Sequence, residues 1–492
     1  VVVVVAGWEG GRVEEECGRG VLGAPRTLFV KLVGVRDVAN LRGWLQGLAG
    51  EVLPAGARLV NAEVVRVHRG DVDVDMMVVV PEGGCSGLAA DLHRVVSLFG
   101  KYGSVVTVAL ATPGGPPGYD TPEEIQARFQ QLSDDNPSIA SLIDLTEAYD
   151  MPPTVDGNHL FALKVSDNVA EDEGEEANVL FVANHHAREL VTPEIALDTA
   201  TKLVEWYAND TAVRRIVDRY QIYVMYTMNP DGLNYVWSVD NFWRKNRRLV
   251  GDDVYGVDLN RNYGFGWDFP CGGSTRPGSE TYRGDAPFSE VETQTMRVFQ
   301  RERRFAKVLD MHSYGRYSTK PYGPCAEAYP VRMFAMYEAH QLVYGKLTDY
   351  DVGLLSAMGE EPGYAFHDIG ALAVLVETAS AFQPDAGEMR DEVQRVWPGN
   401  LYLLSVPEPL TGYVTHAGVP VNVTVQVNNV DWDYDEQWEN RADGRYHVWL
   451  PPGDYSISFT PNEPGYLVTT VNVTLPISSD TVELDVDMDA SF

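Results

Sequence analysis

Apolar residues recur along this chain in three rhythms, and each rhythm marks a region. In the first, they predict a strand at 27–33, an amphipathic helix at 38–52, two strands at 58–67 and 73–80 around an Arg69-Gly-Asp71 turn, a helix at 88–99 and a strand at 104–111. The order β-α-β-β-α-β describes a ferredoxin-like α+β module over 27–111. Residues 1–26 have no periodicity and many Gly and Glu, so poor order is expected there. The Pro- and Gly-rich stretch 112–118 reads as a linker.

Over 119–408 helical and strand patterns alternate. Helices are predicted at 122–132, 193–207 and 290–303. Apolar runs at 178–183, 221–228, 306–311 and 371–377 predict buried strands, so the region is an α/β domain with a largely buried sheet. From 409 to 492 the helical period disappears. Alternating runs at 446–450, 455–459 and 467–475, separated by Gly and Pro, predict a small β-sandwich, with Asp431-Trp-Asp-Tyr-Asp-Glu436 as a solvated acidic loop.

A chain of 492 residues exceeds what one hydrophobic core organises, in keeping with several domains. The balance of 71 acidic against 38 basic residues argues against nucleic acid as a partner. No apolar run reaches the roughly 18 residues of a membrane span, and 1–6 is too short for a signal-peptide core. The first residue is Val, so a processed or truncated start is expected and the compartment is left to other signals. Cys17, Cys85, Cys271 and Cys325 form no CxxC pair, which argues against a thiolate zinc site; in an extracellular protein Cys271 and Cys325 could form a disulfide. Three Asn-x-Thr sequons, at Asn209, Asn422 and Asn472, fit the same compartment.

The candidate chemistry begins at Asn184-His-His-Ala-Arg-Glu189, where a buried strand ends. A His and a Glu three residues apart can both face one ion across a tight turn. That spacing selects His186 with Glu189. His185 would pair at the same spacing only with Arg188, a cation that cannot ligate, and is left to pack or to hydrogen-bond. A third ligand should come from another strand end, and Val308-Leu-Asp-Met-His312 supplies one.

His186-Ala-Arg-Glu189, Trp243-Arg-Lys-Asn-Arg247, Gly256-Val-Asp-Leu-Asn-Arg-Asn262, Ser279-Glu-Thr-Tyr-Arg-Gly284 and His312-Ser-Tyr314 follow one another in the order and approximate spacing of the zinc metallocarboxypeptidases, and the chain resembles that carboxypeptidase A/B family (peptidase M14) over roughly 119–400. The resemblance implies the carboxypeptidase fold, a mixed eight-stranded sheet flanked by helices. It also implies one Zn²⁺ per catalytic domain, held by His186, Glu189 and His312. Two imidazoles and a carboxylate leave a coordination position open, as a catalytic zinc site requires. Glu377, at the end of Val374-Leu-Val-Glu377, matches the family's general base, and Arg247 the arginine that stabilises the oxyanion. Asn260 and Arg261 match the clamp on the substrate's C-terminal carboxylate, and Arg188 and Arg244 match residues lining the outer subsites. Residues 27–111 resemble a procarboxypeptidase activation domain, and 409–492 a transthyretin-like domain.

Three departures matter. The family's substrate-capping tyrosine falls on Leu355, with Tyr350 and Tyr364 nearby; the specificity segment 353–364 aligns with a slip, leaving Glu360 or Glu361 as selectors of a basic end, or an apolar residue as selector of an apolar one; and Gly278 replaces the cysteine expected before Ser279, so Cys271 lacks the partner the family provides. The implied function is a secreted, monomeric zinc exopeptidase acting on the C-termini of peptides and proteins. The alternatives are a zinc amide hydrolase of small N-acyl amino acids and a non-catalytic peptide-binding member of the family.

Overall fold

The computed structural model describes residues 114–322, 331–353, 357–432, 434–478 and 480–491, together with four earlier strands, Arg26–Val35, Arg58–His68, Asp71–Val80 and Ser104–Leu110. The expected helices at 38–52 and 88–99, the residues expected to lack order at 1–25, the Arg69-Gly70 corner and Leu355 lie outside the described residues. The four early strands form one antiparallel sheet in the order 58–68, 71–80, 26–35, 104–110. The first and third strands are central, the split arrangement that a β-α-β-β-α-β chain produces.

The chain divides into two compact units, one of 1–114 with 235–242 and 278–280, the other of 115–234, 243–277 and 281–492. The second unit is built on an eight-stranded mixed sheet. Its spatial order is Asp351–Val352, Tyr317–Thr319, Leu372–Thr378, Lys307–Ser313, Ala177–Ala183, Tyr220–Met225, Phe161–Val165 and Ala140–Asp144. The four strands from Leu372–Thr378 to Tyr220–Met225 are mutually parallel, while Tyr317–Thr319, Phe161–Val165 and Ala140–Asp144 each run antiparallel to a neighbour. Ala177–Ala183, Tyr220–Met225 and Lys307–Ser313 are buried at every residue, because helices cover both faces; this is why their sequences are near-continuous apolar runs. The flanking helix Pro122–Asp135 starts at a capping box in which Thr121 and Glu124 satisfy each other's backbone N–H, with Pro122 at the first helical position.

The predicted helices and strands of this unit are present with ends shifted by a few residues. The helices Val331–Thr348 and Ala386–Ser405 and the outer strands of the sheet are additional. Val331–Thr348 lacks a clean stripe: Met333, Tyr337 and Tyr344 are buried while Leu342 and Leu347 are exposed, so its period is blurred.

The C-terminal strands form two sheets. In one, Leu410–His416 pairs with Val419–Pro420, Arg445–Val448, Val482–Glu483 and Val486–Asp487; in the other the order is Trp438–Glu439, Val423–Val427, Gly453–Pro461, Thr469–Leu475. Val423, Val425, Val427, Ile457 and Phe459 alternate inward and are buried. Indole N–H groups join this part to segments that lead into the large sheet: Trp449 donates to the Ala306 carbonyl, just before Lys307–Ser313, at 2.7 Å and Trp438 to that of Phe366, in the helical turn Ala365–Ile369, at 2.9 Å. The acidic run at 431–436 is solvated at Asp431 and Asp435, as expected, and departs from that expectation at Glu436. Glu436 is fully buried and accepts from the Tyr322 hydroxyl at 2.7 Å, and the Tyr434 ring packs on Phe265 and Phe269. The run's aromatic ring at Tyr434 joins an aromatic cluster while its described aspartates stay at the surface. No described helix is long and apolar enough to cross a membrane. Cys271 is disulfide-bonded.

Candidate active site

The parallel strands all end on one edge, where chains leave the sheet and side chains from separate strands can converge. Ala177–Ala183 is followed by Asn184 in the left-handed region, at φ 57°, which asparagine tolerates better than most residues. Its side chain braces the turn, donating to the His186 carbonyl at 3.1 Å and accepting from Thr227 at 3.0 Å. The turn closes through the Glu189 N–H on the His186 carbonyl at 3.1 Å. That closure brings His186 Nδ1 to 2.7 Å from Glu189 Oε1.

His312 ends the neighbouring strand. Its Nδ1 lies 3.1 Å from His186 Nδ1 and 3.1 Å from Glu189 Oε2. In the parallel register His312 pairs with Glu377, whose side chain is partly exposed at the same edge. Thr378 locks the two strand ends, its hydroxyl donating to the His312 carbonyl at 2.7 Å. His186, Glu189 and His312 are thus brought together with one donor atom each within 4.8 Å of the others. Two imidazole nitrogens and a carboxylate match the ligand set of a catalytic zinc site. Each ring's other nitrogen faces a carboxylate, Asp258 Oδ1 at 3.1 Å for His186 and Asp310 Oδ2 at 3.0 Å for His312, the support that zinc-ligating histidines require. On donor chemistry the residues fit zinc.

The electrostatics point the same way. Burial alone would push the Glu189 carboxyl upward, but the His186 and His312 imidazoles beside it prevail and hold it well below the usual range. Asp258 is likewise opposed by burial and held down by Arg244 and then His186. Fully enclosed carboxylates remain ionised where cationic partners face them.

The remaining residues fall in two groups. Asn260 and Arg261 sit on a short 3₁₀ turn, Leu259–Arg261, capped by the Asp258 carboxylate. Asn260 Nδ2 lies 3.0 Å from His312 Nε2 and its Oδ1 accepts the Glu361 N–H at 2.8 Å; Arg261 Nη1 donates to Glu360 Oε1 at 2.8 Å. Arg247 packs between the Trp243 and Tyr255 rings, at 4.5 and 4.8 Å from their centroids. Arg188 and Arg244, expected along outer subsites, are both buried. Arg188 lies over the Phe382 ring at 4.3 Å, and Arg244 grips Asp258 Oδ2 through Nε at 3.1 Å and Nη2 at 2.9 Å. Arg244 therefore acts on His186 through Asp258. Tyr364 and Tyr350 are also buried, Tyr350 bonding Glu392.

Sequence reasoning passed over Asp258 and Asp310. Asp310 had a signal: it is an acid in the middle of the apolar strand Lys307–Ser313, two residues before His312 and so on the same face.

Residues 125–397, more than half of the chain, match the zinc carboxypeptidase family. Carboxypeptidase B of Rattus norvegicus is 31% identical over 207 residues, 42% of this chain and 47% of that protein. A protein named inactive metallocarboxypeptidase ecm14, of Talaromyces stipitatus, is 32% identical over 206 residues, 39% of this chain and 33% of that protein. The chain spans between a third and a half of the length of these curated relatives. The crystal structure of carboxypeptidase A from Helicoverpa armigera superposes with a TM-score of 0.57 at 19% identity, covering 76% of this chain and 95% of that one, a likeness of fold.

Proposed function

The chain belongs to the zinc carboxypeptidase family, and from that premise we propose that it is an active, zinc-dependent exopeptidase that hydrolyses the last peptide bond of peptides and proteins. The observation that carries the reading is the meeting of His186 Nδ1, His312 Nδ1 and the Glu189 carboxylate beside Glu377 in register. His186, Glu189 and His312 would hold the ion. A zinc ion in such a site supplies Lewis acidity, making water a far stronger acid near neutral pH. Glu377 takes the proton of the attacking water as its oxygen bonds to the scissile carbonyl carbon, and returns a proton to the departing amine nitrogen as the C–N bond breaks. Arg247 offers its guanidinium to the oxyanion that forms between these steps. Arg261, with Asn260, pairs with the terminal carboxylate, the feature that distinguishes an exopeptidase substrate. Residues 27–111 would serve as an activation domain and 409–492 as a transthyretin-like companion. A secreted location fits the disulfide at Cys271.

Glu377→Gln tests the reading. The variant should keep zinc near one per chain and lose about 10²–10⁴ in kcat on C-terminally varied peptides. Full activity in the variant would reject Glu377 as the base. The relative named inactive sharpens a second outcome. No residue released from any peptide, with or without removal of 1–118, would make the chain a binding member, and turnover of N-acyl amino acids alone would make it an amide hydrolase.

A further inference from the structure

His185 is not selected as a ligand, yet it is fully buried with both ring nitrogens engaged: Nδ1 lies 3.0 Å from Asp310 Oδ1 and Nε2 lies 2.8 Å from the Tyr263 hydroxyl. Asp310 is fully buried too, inside the central strand. A carboxylate in that setting is costly unless its oxygens are satisfied. Oδ1 takes His185 and Oδ2 takes His312 Nε2 at 3.0 Å. The rings of His185 and His312 stack at 5.5 Å with 14° between their planes, so one carboxylate reaches both.

The hydrogen-bond directions can be assigned. Next to His312 Nε2 lie Asp310 Oδ2 and Asn260 Nδ2. A carboxylate oxygen can only accept, whereas the Asn260 amide nitrogen, turned to the ring because its Oδ1 takes the Glu361 N–H, makes no hydrogen bond with a protonated Nε2. Asp310 is the acceptor, so His312 carries its proton on Nε2. By the same logic His185 donates from Nδ1 to Asp310, and its bare Nε2 accepts the Tyr263 O–H. Tyr263, His185, Asp310 and His312 then each have one role, and the lone pair of His312 Nδ1 is left facing His186 and Glu189.

We propose that Tyr263, His185 and Asp310 form a relay of positioning residues that fixes the tautomer and orientation of His312 and so sets metal affinity. The proposal rests on His186, Glu189 and His312 being the metal ligands. The two ligand histidines are supported unequally. Asp258 behind His186 is gripped by the Arg244 cation, whereas both bonds of Asp310 go to imidazoles. Asp310 therefore keeps more of its negative charge directed at His312, strengthening that ring as a donor.

The test is zinc affinity of the metal-stripped full chain, measured by chelator competition, beside its thermal unfolding without metal. Asp310→Asn should weaken zinc binding by about 10- to 100-fold, His185→Phe by less, and Tyr263→Phe by a few-fold, in that order. With cobalt in place of zinc, Asp310→Asn should also shift the visible absorption bands, which a packing role would leave alone. Unchanged affinity in Asp310→Asn overturns the relay; if that variant does not fold, unchanged affinity in Tyr263→Phe, which removes one oxygen, does the same. Complete loss of zinc in His185→Phe also overturns it, because His185 with Asp310 and His312 would then be the ligand set. A wild-type chain that binds no zinc removes the metal-site reading itself, an outcome distinct from the others.

Discussion

Two clusters of buried acids lie in the second unit, and they are wired in opposite ways. At the strand ends, Glu189, Asp258 and Asp310 each face an imidazole, and Asp258 a guanidinium as well. At the start of the helix Val291–Arg303, Glu292 faces Glu290 and the Asn246 amide, which donates to Glu290 at 2.8 Å and more weakly to Glu292 at 3.3 Å. Burial, reinforced by the neighbouring Glu290, pushes the Glu292 carboxyl up to about 8. Residue type and burial are alike in the two places. The neighbours decide whether the carboxyl group stays ionised, ready to balance a cation, or retains a proton. The second cluster has its own relevance to the site, because Asn246 sits between Arg244 and Arg247 and its Oδ1 accepts the Val257 N–H at 2.8 Å, anchoring the segment that delivers Asp258, Asn260 and Arg261.

The sharpest way to break the contrast is to take the cation's place away from the first cluster. His312→Ala should drop zinc from about one per chain to near zero by metal analysis and abolish peptide hydrolysis, since two ligands rarely retain catalytic zinc. Zinc retained at full stoichiometry would place the metal elsewhere.

Within the first cluster, His186, Glu189 and His312 were legible in the sequence because strands are periodic and their ends are marked. An apolar run that stops at His186 or His312 announces both the element and the side chain that leaves it, and parallel register then brings His312 to Glu377. The eight-stranded sheet followed from the same runs together with the family resemblance. The buried wiring was less legible. Arg188 and Arg244 look alike in sequence to any surface arginine, and their burial depends on Phe382 and Asp258, contributed by distant segments. The segment from Met358 to Tyr364 resisted alignment because it is a loop entering a short helix, Glu361–Tyr364, with no period to count. The burial of Glu436 within the acidic run at 431–436 was hidden for a related reason: Tyr322, which bonds it, and Phe265 and Phe269, which pack on Tyr434, belong to other elements.

That loop supplies a prediction of intermediate size. Glu360 Oε1 lies 2.8 Å from Arg261 Nη1, so the arginine that would receive the substrate's terminal carboxylate already holds one. In Glu360→Gln the competing charge is gone, and KM for peptides ending in neutral residues should fall by about 3- to 10-fold with kcat nearly unchanged, in line with a charge-assisted bond becoming an ordinary one. A rise in KM confined to peptides ending in Lys or Arg would instead make Glu360 the selector of basic ends.

The smallest effect probes the second cluster through pH. Glu292 has a folded-state pKa of about 8 against an ordinary 4.5, so the folded chain binds the proton more tightly than the unfolded one. Its contribution to stability is therefore fully present below pH 4.5 and is lost as pH rises through 8. Glu292→Gln keeps the shape and removes the titration. Its melting temperature should match the wild type near pH 4.5, provided the fold survives acid there, and exceed it by about 1–3 °C above pH 8, where the wild type must ionise a buried carboxyl beside Glu290. A constant offset across that range would mean that Glu292 does not titrate in the folded chain, and the two clusters would then differ in partners but not in charge.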